Sequence, residues 1–196
     1  MKKNVLFYIV ASVIVVLAII SIILLRYKNE ITDSKEVLKI ISETNLESII
    51  DLGNFEKNSY SEKDLLAVAM KFAEKNGYMN ESSDGVYVEY VNKSDLHEII
   101  SELTGIVIDA PIQIEDFYYI YDSENEYYYN AGMEVPEYEI SKIEHVYKGD
   151  DSYTIECSAI KMEDGEVIAD DKIVTELKKN VDSSYANYQV IKQEVS

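Results

Sequence analysis

The chain has 196 residues, with 18 lysine and arginine residues against 37 aspartate and glutamate residues. Four of the basic residues and none of the acidic ones lie in residues 1–28, which leaves 14 basic and 37 acidic residues, a net charge of −23, in residues 29–196. This charge argues against binding to nucleic acid and against adhesion to an anionic membrane surface.

The N-terminal stretch from Val5 to Leu25 holds 21 residues without a charged residue, a glycine or a proline. At ~1.5 Å rise per residue, a helix of this length spans roughly 31 Å, about the hydrocarbon thickness of a bilayer. The stretch is longer than the apolar region of a cleaved signal peptide, and no small-residue cleavage pattern follows it. We therefore predict that residues 1–28 form an uncleaved anchor that contacts the lipid bilayer through Val5 to Leu25.

The charges that flank this stretch predict its orientation. Two lysines and the N-terminal amine precede it, and Arg26 and Lys28 follow it. This small excess of positive charge favours a cytoplasmic N-terminus. We predict a single-pass protein of the cell membrane with residues 29–196 outside the cytoplasm. Because Cys157 is the only cysteine, no disulfide can form within the chain, as is common in exported proteins of Gram-positive bacteria.

Residues 29–60 are predicted to form a juxtamembrane helical segment. Asp33 followed by Glu36 indicates a capping box, and apolar residues follow at roughly helical spacing. We predict one helix, or two short helices broken near Thr44-Asn45, that end at Gly53.

Residues 61–196 are predicted to form an α+β extracytoplasmic domain. Two helices are predicted here, with Ser61 and Ser94 as capping residues and Gly77 and Gly105 as the residues that end them. A short strand that includes Tyr90 lies between them. His97 falls off the apolar stripe of the second helix, so we expect it to be exposed.

The C-terminal half alternates between apolar and polar residues. Phe117 to Tyr121 and Glu126 to Asn130 predict a hairpin around Asp122 to Asn125, and four further strands follow, centred near Ile143 to Tyr147, Tyr153 to Ala159, Ile173 to Leu177 and Ala186 to Val190. The adjacent carboxylates of Asp170 and Asp171 predict a β-bulge. The fold class is therefore predicted as α+β: a transmembrane helix, then helices packed on a curved antiparallel meander sheet.

This order of elements resembles the cystatin-like α+β folds and, among them, the nuclear-transport-factor-like family in membrane-anchored Gram-positive ectodomains. The likeness covers about residues 61–195. It includes the tyrosine-rich strands in which Ile-Ser-Lys-Ile-Glu-His-Val-Tyr-Lys leads into Asp-Ser-Tyr-Thr-Ile-Glu. The resemblance implies a cone of helices packed into a curved sheet, a fold that hosts enzymes, ligand binders and interaction modules.

Candidate catalytic and metal-binding residues are few. Cys157 and His145 lie on predicted neighbouring strands, but Cys157 is in phase with apolar residues, which favours a small buried side chain over a nucleophile. The acidic turn from Asp122 to Glu126 lacks the glycine and the distal glutamate of a calcium loop. We predict no catalytic residue, no metal site and no cofactor.

The tyrosines are the most informative feature of the composition. The chain has 17 tyrosines and no tryptophan, and six of the tyrosines fall between positions 118 and 129. In the predicted hairpin Tyr121 pairs with Glu126 and Tyr119 with Tyr128, so both faces of the hairpin are aromatic. One face holds Phe117, Tyr119 and Tyr128, and the other holds Tyr118, Ile120, Tyr127 and Tyr129. One face can pack on the core, and the other requires a helix, a ligand or a partner. The candidate interaction residues are Phe117, Tyr118, Tyr119, Tyr121, Tyr127, Tyr128 and Tyr129.

Three functions are compatible with these features. The first, which we favour, is a non-enzymatic interaction or accessory module at the cell envelope that binds another envelope protein or itself. The second is a cone-shaped pocket for a small ligand, lined by tyrosine and aliphatic residues. The third is an enzyme that uses an aspartate or glutamate together with a tyrosine.

Overall fold

The computed structural model describes residues 29–81, 89–115, 117–133 and 135–196. The predicted anchor, Val5 to Leu25, lies outside these residues. In the part of the chain that the structure describes, no helix is long and apolar enough to span a bilayer. The described residues fold as an α+β protein with two antiparallel sheets, so the predicted class is confirmed at that level.

The helical elements are α1 (Ser34–Thr44), α2 (Leu46–Ile49), a 3-10 helix (Ile50–Leu52), α3 (Glu62–Lys75) and α4 (Lys93–Thr104). The strands are β1 (Phe55–Glu56), β2 (Asn80–Glu81), β3 (Glu89–Asn92), β4 (Tyr119–Asp122), β5 (Tyr127–Asn130), β6 (Glu137–Lys148), β7 (Ser152–Glu163), β8 (Glu166–Lys179) and β9 (Tyr188–Val195).

Local sequence signals determine the ends of the first helices. The Asp33 carboxylate accepts hydrogen bonds from the backbone N–H groups of Lys35 and Glu36 at 2.9 and 3.0 Å, which caps α1. Asn45 adopts a left-handed conformation with φ 52° and separates α1 from α2. Gly53, with φ 67°, ends the 3-10 helix. The cap at Asp33, the break near Thr44-Asn45 and the end at Gly53 are confirmed, whereas the Glu36 carboxylate of the predicted capping box lies 3.9 Å from the Lys148 ammonium.

The two longer helices agree with prediction except at one end. Ser61 accepts a hydrogen bond from the Asp64 N–H at 3.3 Å and caps α3, as predicted. Gly105 ends α4 with φ 69°, also as predicted. The predicted cap at Ser94 is wrong, because β3 runs directly into α4 and Asn92 is the residue at the junction.

Sheet A contains five strands in the order β1-β9-β8-β7-β6. β6 to β9 form a meander, and β1 adds to its edge by pairing with β9. The turn between β7 and β8 consists of Asp164 and Gly165, which both have positive φ, so its twist matches that of the flanking strands.

The predicted bulge at Asp170 and Asp171 is wrong. Both residues pair regularly with β7, and the irregularity lies nearer the turn, where Met162 pairs with Val167. The pair of carboxylates is tolerated because Asp170 is exposed and Asp171 accepts a hydrogen bond from the Tyr138 hydroxyl at 2.6 Å.

Sheet B contains four strands in the order β2-β3-β5-β4. The hairpin β4–β5 therefore pairs with β3 and not with the meander, which corrects the prediction of one sheet. Helix α4 contacts β9 of sheet A and both β3 and β5 of sheet B, and it also packs against α3. The apolar face of this helix thus connects the two sheets through a shared core.

The segment before α3 belongs to the same core. Ile40, Leu46, Ile50 and Phe55 are each at most 2% exposed and pack with residues of α3, α4 and sheet A. The predicted limits of the anchor, the juxtamembrane segment and the domain stay predictions. Because their apolar side chains pack in this core, residues 34–56 stabilise the helices and sheet A that follow them in the chain.

The connector before α1 lies along the outer edge of sheet A. Ile31 N–H donates to the Val146 carbonyl at 2.8 Å, and Glu30 forms a bridge with Tyr147. The Glu30 carboxylate also lies 2.7 Å from Nδ1 of His145. These contacts attach the chain that leaves the predicted anchor directly to β6.

Candidate functional site

The aromatic hairpin has a register that differs by two residues from the predicted one. Tyr121 pairs with Tyr128 and Tyr119 with Asn130, so the predicted pairs Tyr121–Glu126 and Tyr119–Tyr128 are wrong. The Asp122 carboxylate accepts from the backbone N–H groups of residues 124 and 125 at 2.9 and 3.1 Å, and Glu126 takes φ 54°. Asp122 therefore ends β4, and the turn comprises residues 123–126.

A shift of two residues leaves the faces of a strand unchanged, because side chains alternate with a period of two. The predicted division into two aromatic faces therefore holds for the paired residues of β4 and β5, whereas Phe117 and Tyr118 precede β4. The structure also shows which face is covered. Phe117, Tyr119 and Tyr128 are buried, with Tyr128 fully so, while Tyr127 and Tyr129 are half-buried on the opposite face.

The buried face is part of the hydrophobic core. The Tyr128 hydroxyl accepts a hydrogen bond from Ile112 N–H at 2.8 Å and lies 3.3 Å from Nε2 of His97. Burial raises the pKa of Tyr128 to about 12. His97 is half-buried against this ring, so the prediction of an exposed histidine is wrong. Burial also lowers the pKa of His97, which keeps the imidazole neutral near pH 7.

The opposite face extends over three strands. Tyr129 pairs with Tyr90 of β3 on one side and with Ile120 of β4 on the other, which places the three side chains in one row. Tyr127 lies on the same face, 4.6 Å from Tyr90 and 5.9 Å from Tyr129 between ring centroids. We call Tyr90, Ile120, Tyr127 and Tyr129 the tyrosine face.

Sequence reasoning missed Tyr90 as a member of this surface. The alternation around Tyr90 indicated a strand, but only the register between β3 and β5 brings it beside Tyr127 and Tyr129. Tyr121 lies on the other face, half-buried and 5.0 Å from the Tyr128 ring.

Asp122 gives the tyrosine face a negative charge. It pairs with Tyr127 across the hairpin and so projects from the same face. Hydrogen bonds from Asn125 hold the pKa of Asp122 below its usual range, so the carboxylate is ionised at neutral pH. Lys93 forms an ion pair with Glu126 of the turn.

Phe117 and Tyr118 lie before β4 and belong to a different surface. The Lys63 ammonium lies 4.9 Å from the centroid of Phe117 and 5.9 Å from that of Tyr118. Together with Lys161 these residues line a cavity of about 190 Å³. The seven candidate interaction residues are therefore distributed over three environments: the core, the tyrosine face and this cavity.

The candidate catalytic pair does not come together. Cys157 is 2% exposed, as predicted, and burial raises the pKa of its thiol to about 11. His145 is exposed, and its ring contacts Glu30 instead.

An aspartate–tyrosine pair occurs where Tyr138 donates to Asp171. Burial and this carboxylate raise the pKa of Tyr138, so the phenol stays protonated and cannot act as a base near neutral pH. Among the described residues, no cluster of three His, Cys, Asp or Glu side chains could hold a metal ion.

Comparison of the chain with protein-family models, with curated protein sequences and with solved structures gave no match. The resemblance to the nuclear-transport-factor-like family therefore stays a prediction that rests on the order of elements.

Proposed function

We propose that this chain is a single-pass membrane protein with an extracytoplasmic α+β module, and that the module binds a cationic surface of another envelope protein. The tyrosine face is the observation that carries this proposal. The proposed role is non-enzymatic, and the proposed location follows from the apolar stretch Val5 to Leu25.

The composition of the tyrosine face is typical of a binding surface. Tyrosine buries a large area while its hydroxyl remains available for hydrogen bonds, and it is enriched at protein interfaces. Tyr90, Tyr127 and Tyr129 are half-buried, and Ile120 is 41% exposed. Because the rings already pack on one another above a paired sheet, docking a partner would cost little side-chain entropy.

The charges favour a cationic partner over a second copy of the chain. Asp122 is ionised beside Tyr127, and residues 29–196 carry a net charge of −23, so two tyrosine faces would repel each other. Lysine and arginine side chains are attracted both to a carboxylate and to the faces of tyrosine rings. A partner with basic residues around an apolar centre fits this surface.

Site-specific photocrosslinking in intact membranes tests the proposal. A photoreactive phenylalanine analogue at position 129 of the full-length chain is expected to crosslink one protein, identified by mass spectrometry, through a segment rich in lysine or arginine. The same analogue at Val181, which is 84% exposed and lies between β8 and β9 of sheet A, is the matched control. The crosslink at position 129 is expected to weaken as salt is raised, because screening reduces the attraction.

A pair of charge variants tests the role of Asp122. Asp122→Asn keeps the side chain that caps the turn but removes the negative charge, so it is expected to reduce crosslinking at position 129. Asp170→Asn, which changes an exposed carboxylate on β8, is expected to leave it unchanged. Equal crosslinking from positions 129 and 181, or a crosslink at 129 to a second copy of this chain, contradicts the proposal.

A further inference from the structure

A small cavity lies where α3 meets the segments that lead into β4 and β6. Its walls include Lys63 and Ala67 from α3, Phe117 and Tyr118 before β4, and Lys161 from β7, and its volume is about 190 Å³. We call it the lysine pocket. Three of the 14 basic residues in residues 29–196 line it, Lys71 being the third, although acidic residues far outnumber basic ones in that part of the chain.

The floor of the lysine pocket is a buried ion pair. Lys71 is 4% exposed, and its ammonium contacts the Asp51 carboxylate directly and Glu137 at 3.2 Å. The second Asp51 oxygen accepts a hydrogen bond from Tyr138 N–H at 2.8 Å. Lys71 and Asp51 thus satisfy each other and close the pocket toward the core, and because Glu137 adds a second carboxylate, the floor has no unpaired positive charge.

The cations at the sides of the lysine pocket are not balanced in this way. Lys63 lies over Phe117 and Tyr118, and Lys161 lies 5.2 Å from the Tyr138 ring centroid. Within the described residues, neither ammonium lies at ion-pair distance from a carboxylate. Asp64 also lines the pocket: burial raises the pKa of its carboxyl group, whereas the charges of Lys161 and Lys63 lower it, so this single carboxylate offsets part of the charge of the two lysines.

The lining of the pocket specifies a class of ligand. Two ammonium groups can hold a carboxylate by charge-assisted hydrogen bonds. The rings of Phe117 and Tyr118, with Val135 and Pro136, form an apolar wall. An inorganic anion has no apolar part to pack against this wall, whereas an organic carboxylate has one. The volume is below the ~300 Å³ at which pockets for drug-sized ligands begin, so the ligand is small.

We propose that the lysine pocket binds a small organic carboxylate with an aromatic or branched aliphatic body. The carboxylate lies between Lys63 and Lys161, and the body packs against Phe117 and Tyr118. This site is separate from the tyrosine face, so either proposal can fail without the other.

Photoaffinity labelling of the full-length chain with 4-azidobenzoate tests this site. The expected result is an adduct on a peptide that contains Phe117 and Tyr118 or Val135 and Pro136. Benzoate is expected to compete for labelling, whereas the isosteric neutral benzamide and inorganic phosphate are expected to compete at least ten-fold more weakly.

Variants of the lysines identify the contribution of charge. Lys161 is half-buried and Lys63 is exposed, so Lys161→Gln and Lys63→Gln are both expected to fold with an unchanged near-UV circular dichroism spectrum. Each variant is expected to reduce labelling by 4-azidobenzoate at least ten-fold. Lys178→Gln, on the exposed part of β8, is the control and is expected to label normally. Absent or non-saturable labelling overturns the proposal, as does equal competition by benzamide or phosphate, or full labelling of both pocket variants.

Discussion

At the scale of single residues, Cys157 shows how burial changes chemistry without creating a site. It lies on β7, an interior strand of sheet A, and pairs with Ile143 of β6 on one side and Ile173 of β8 on the other. The thiol is 2% exposed and burial raises its pKa to about 11, so the reactive thiolate is scarce at neutral pH. Its role is that of a small apolar core residue.

We therefore expect Cys157 to react with a thiol reagent only as fast as the chain opens. Cys157→Ala is expected to lower the free energy of unfolding by about 1–2 kcal/mol at pH 7, since a small buried group is lost. Rapid modification under native conditions would contradict the burial.

The pH dependence of the same variant gives a second test. Between the usual thiol pKa of 9.0 and the folded value of about 11, the folded chain keeps a proton that the unfolded chain has lost. The thiol therefore lowers the free energy of unfolding of the wild type as pH rises through this interval. Cys157→Ala has no thiol, so its free energy of unfolding lacks this contribution. Chemical denaturation at pH 7, 9 and 11 is expected to show the difference between the two proteins narrowing or reversing at high pH.

At the scale of elements, the hairpin β4–β5 separates a structural face from the face that we propose binds a partner. On the buried side, the Tyr128 hydroxyl contacts His97 of α4 and accepts a hydrogen bond from Ile112 N–H. On the outer side, the tyrosine rings pack on one another. The same two strands thus contribute to both stability and the proposed recognition.

This separation predicts different effects for adjacent tyrosines. Tyr128→Ser removes a fully buried ring and the acceptor for Ile112 N–H, so it is expected to lower the free energy of unfolding by about 3–5 kcal/mol. Tyr129→Ser is expected to lower it by less than about 1 kcal/mol and yet to reduce partner crosslinking, measured from Tyr127 replaced by the photoreactive analogue. Thermal denaturation followed by near-UV circular dichroism measures the first effect. Equal destabilisation by both variants would make the outer face part of the core.

At the scale of the whole molecule, backbone contacts join the connector before α1 to the edge of sheet A in the acidic module. Glu30 and Ile31 attach to β6 directly after the predicted anchor, residues 1–28, and only a few residues after its apolar stretch ends at Leu25. The module is therefore held close to the bilayer in the proposed topology, and its net charge of −23 keeps it off an anionic lipid surface.

The proposed topology predicts that protease added to intact cells without a wall degrades residues 29–196. An epitope tag at the C-terminus is expected to disappear, and a tag at the N-terminus is expected to survive on a membrane-bound fragment. A cytoplasmic protein serves as the control for cell integrity. Survival of the C-terminal tag while a known external protein is cut would reverse the orientation, and a mature protein that begins after Leu25 would contradict the anchor.

The sequence by itself determined the features that depend on neighbouring residues. Caps at Asp33 and Ser61, the break at Asn45 and the helix ends at Gly53 and Gly105 follow from side-chain hydrogen bonds and positive φ within a few positions. The two faces of the hairpin were equally predictable, because alternation with a period of two survives an error in register.

Only the tertiary structure decided which surfaces exist. The placement of the hairpin beside β3 rather than the meander depends on pairings between residues more than 30 positions apart, such as Tyr90 with Tyr129. Likewise, Glu102 accepts backbone hydrogen bonds from Ser184, Tyr185 and Ala186 at 2.6 to 2.7 Å, a contact for which local sequence carries no signal. Long-range packing selects one arrangement among many with the same local preferences, so the tyrosine face and the lysine pocket became visible only in the folded chain.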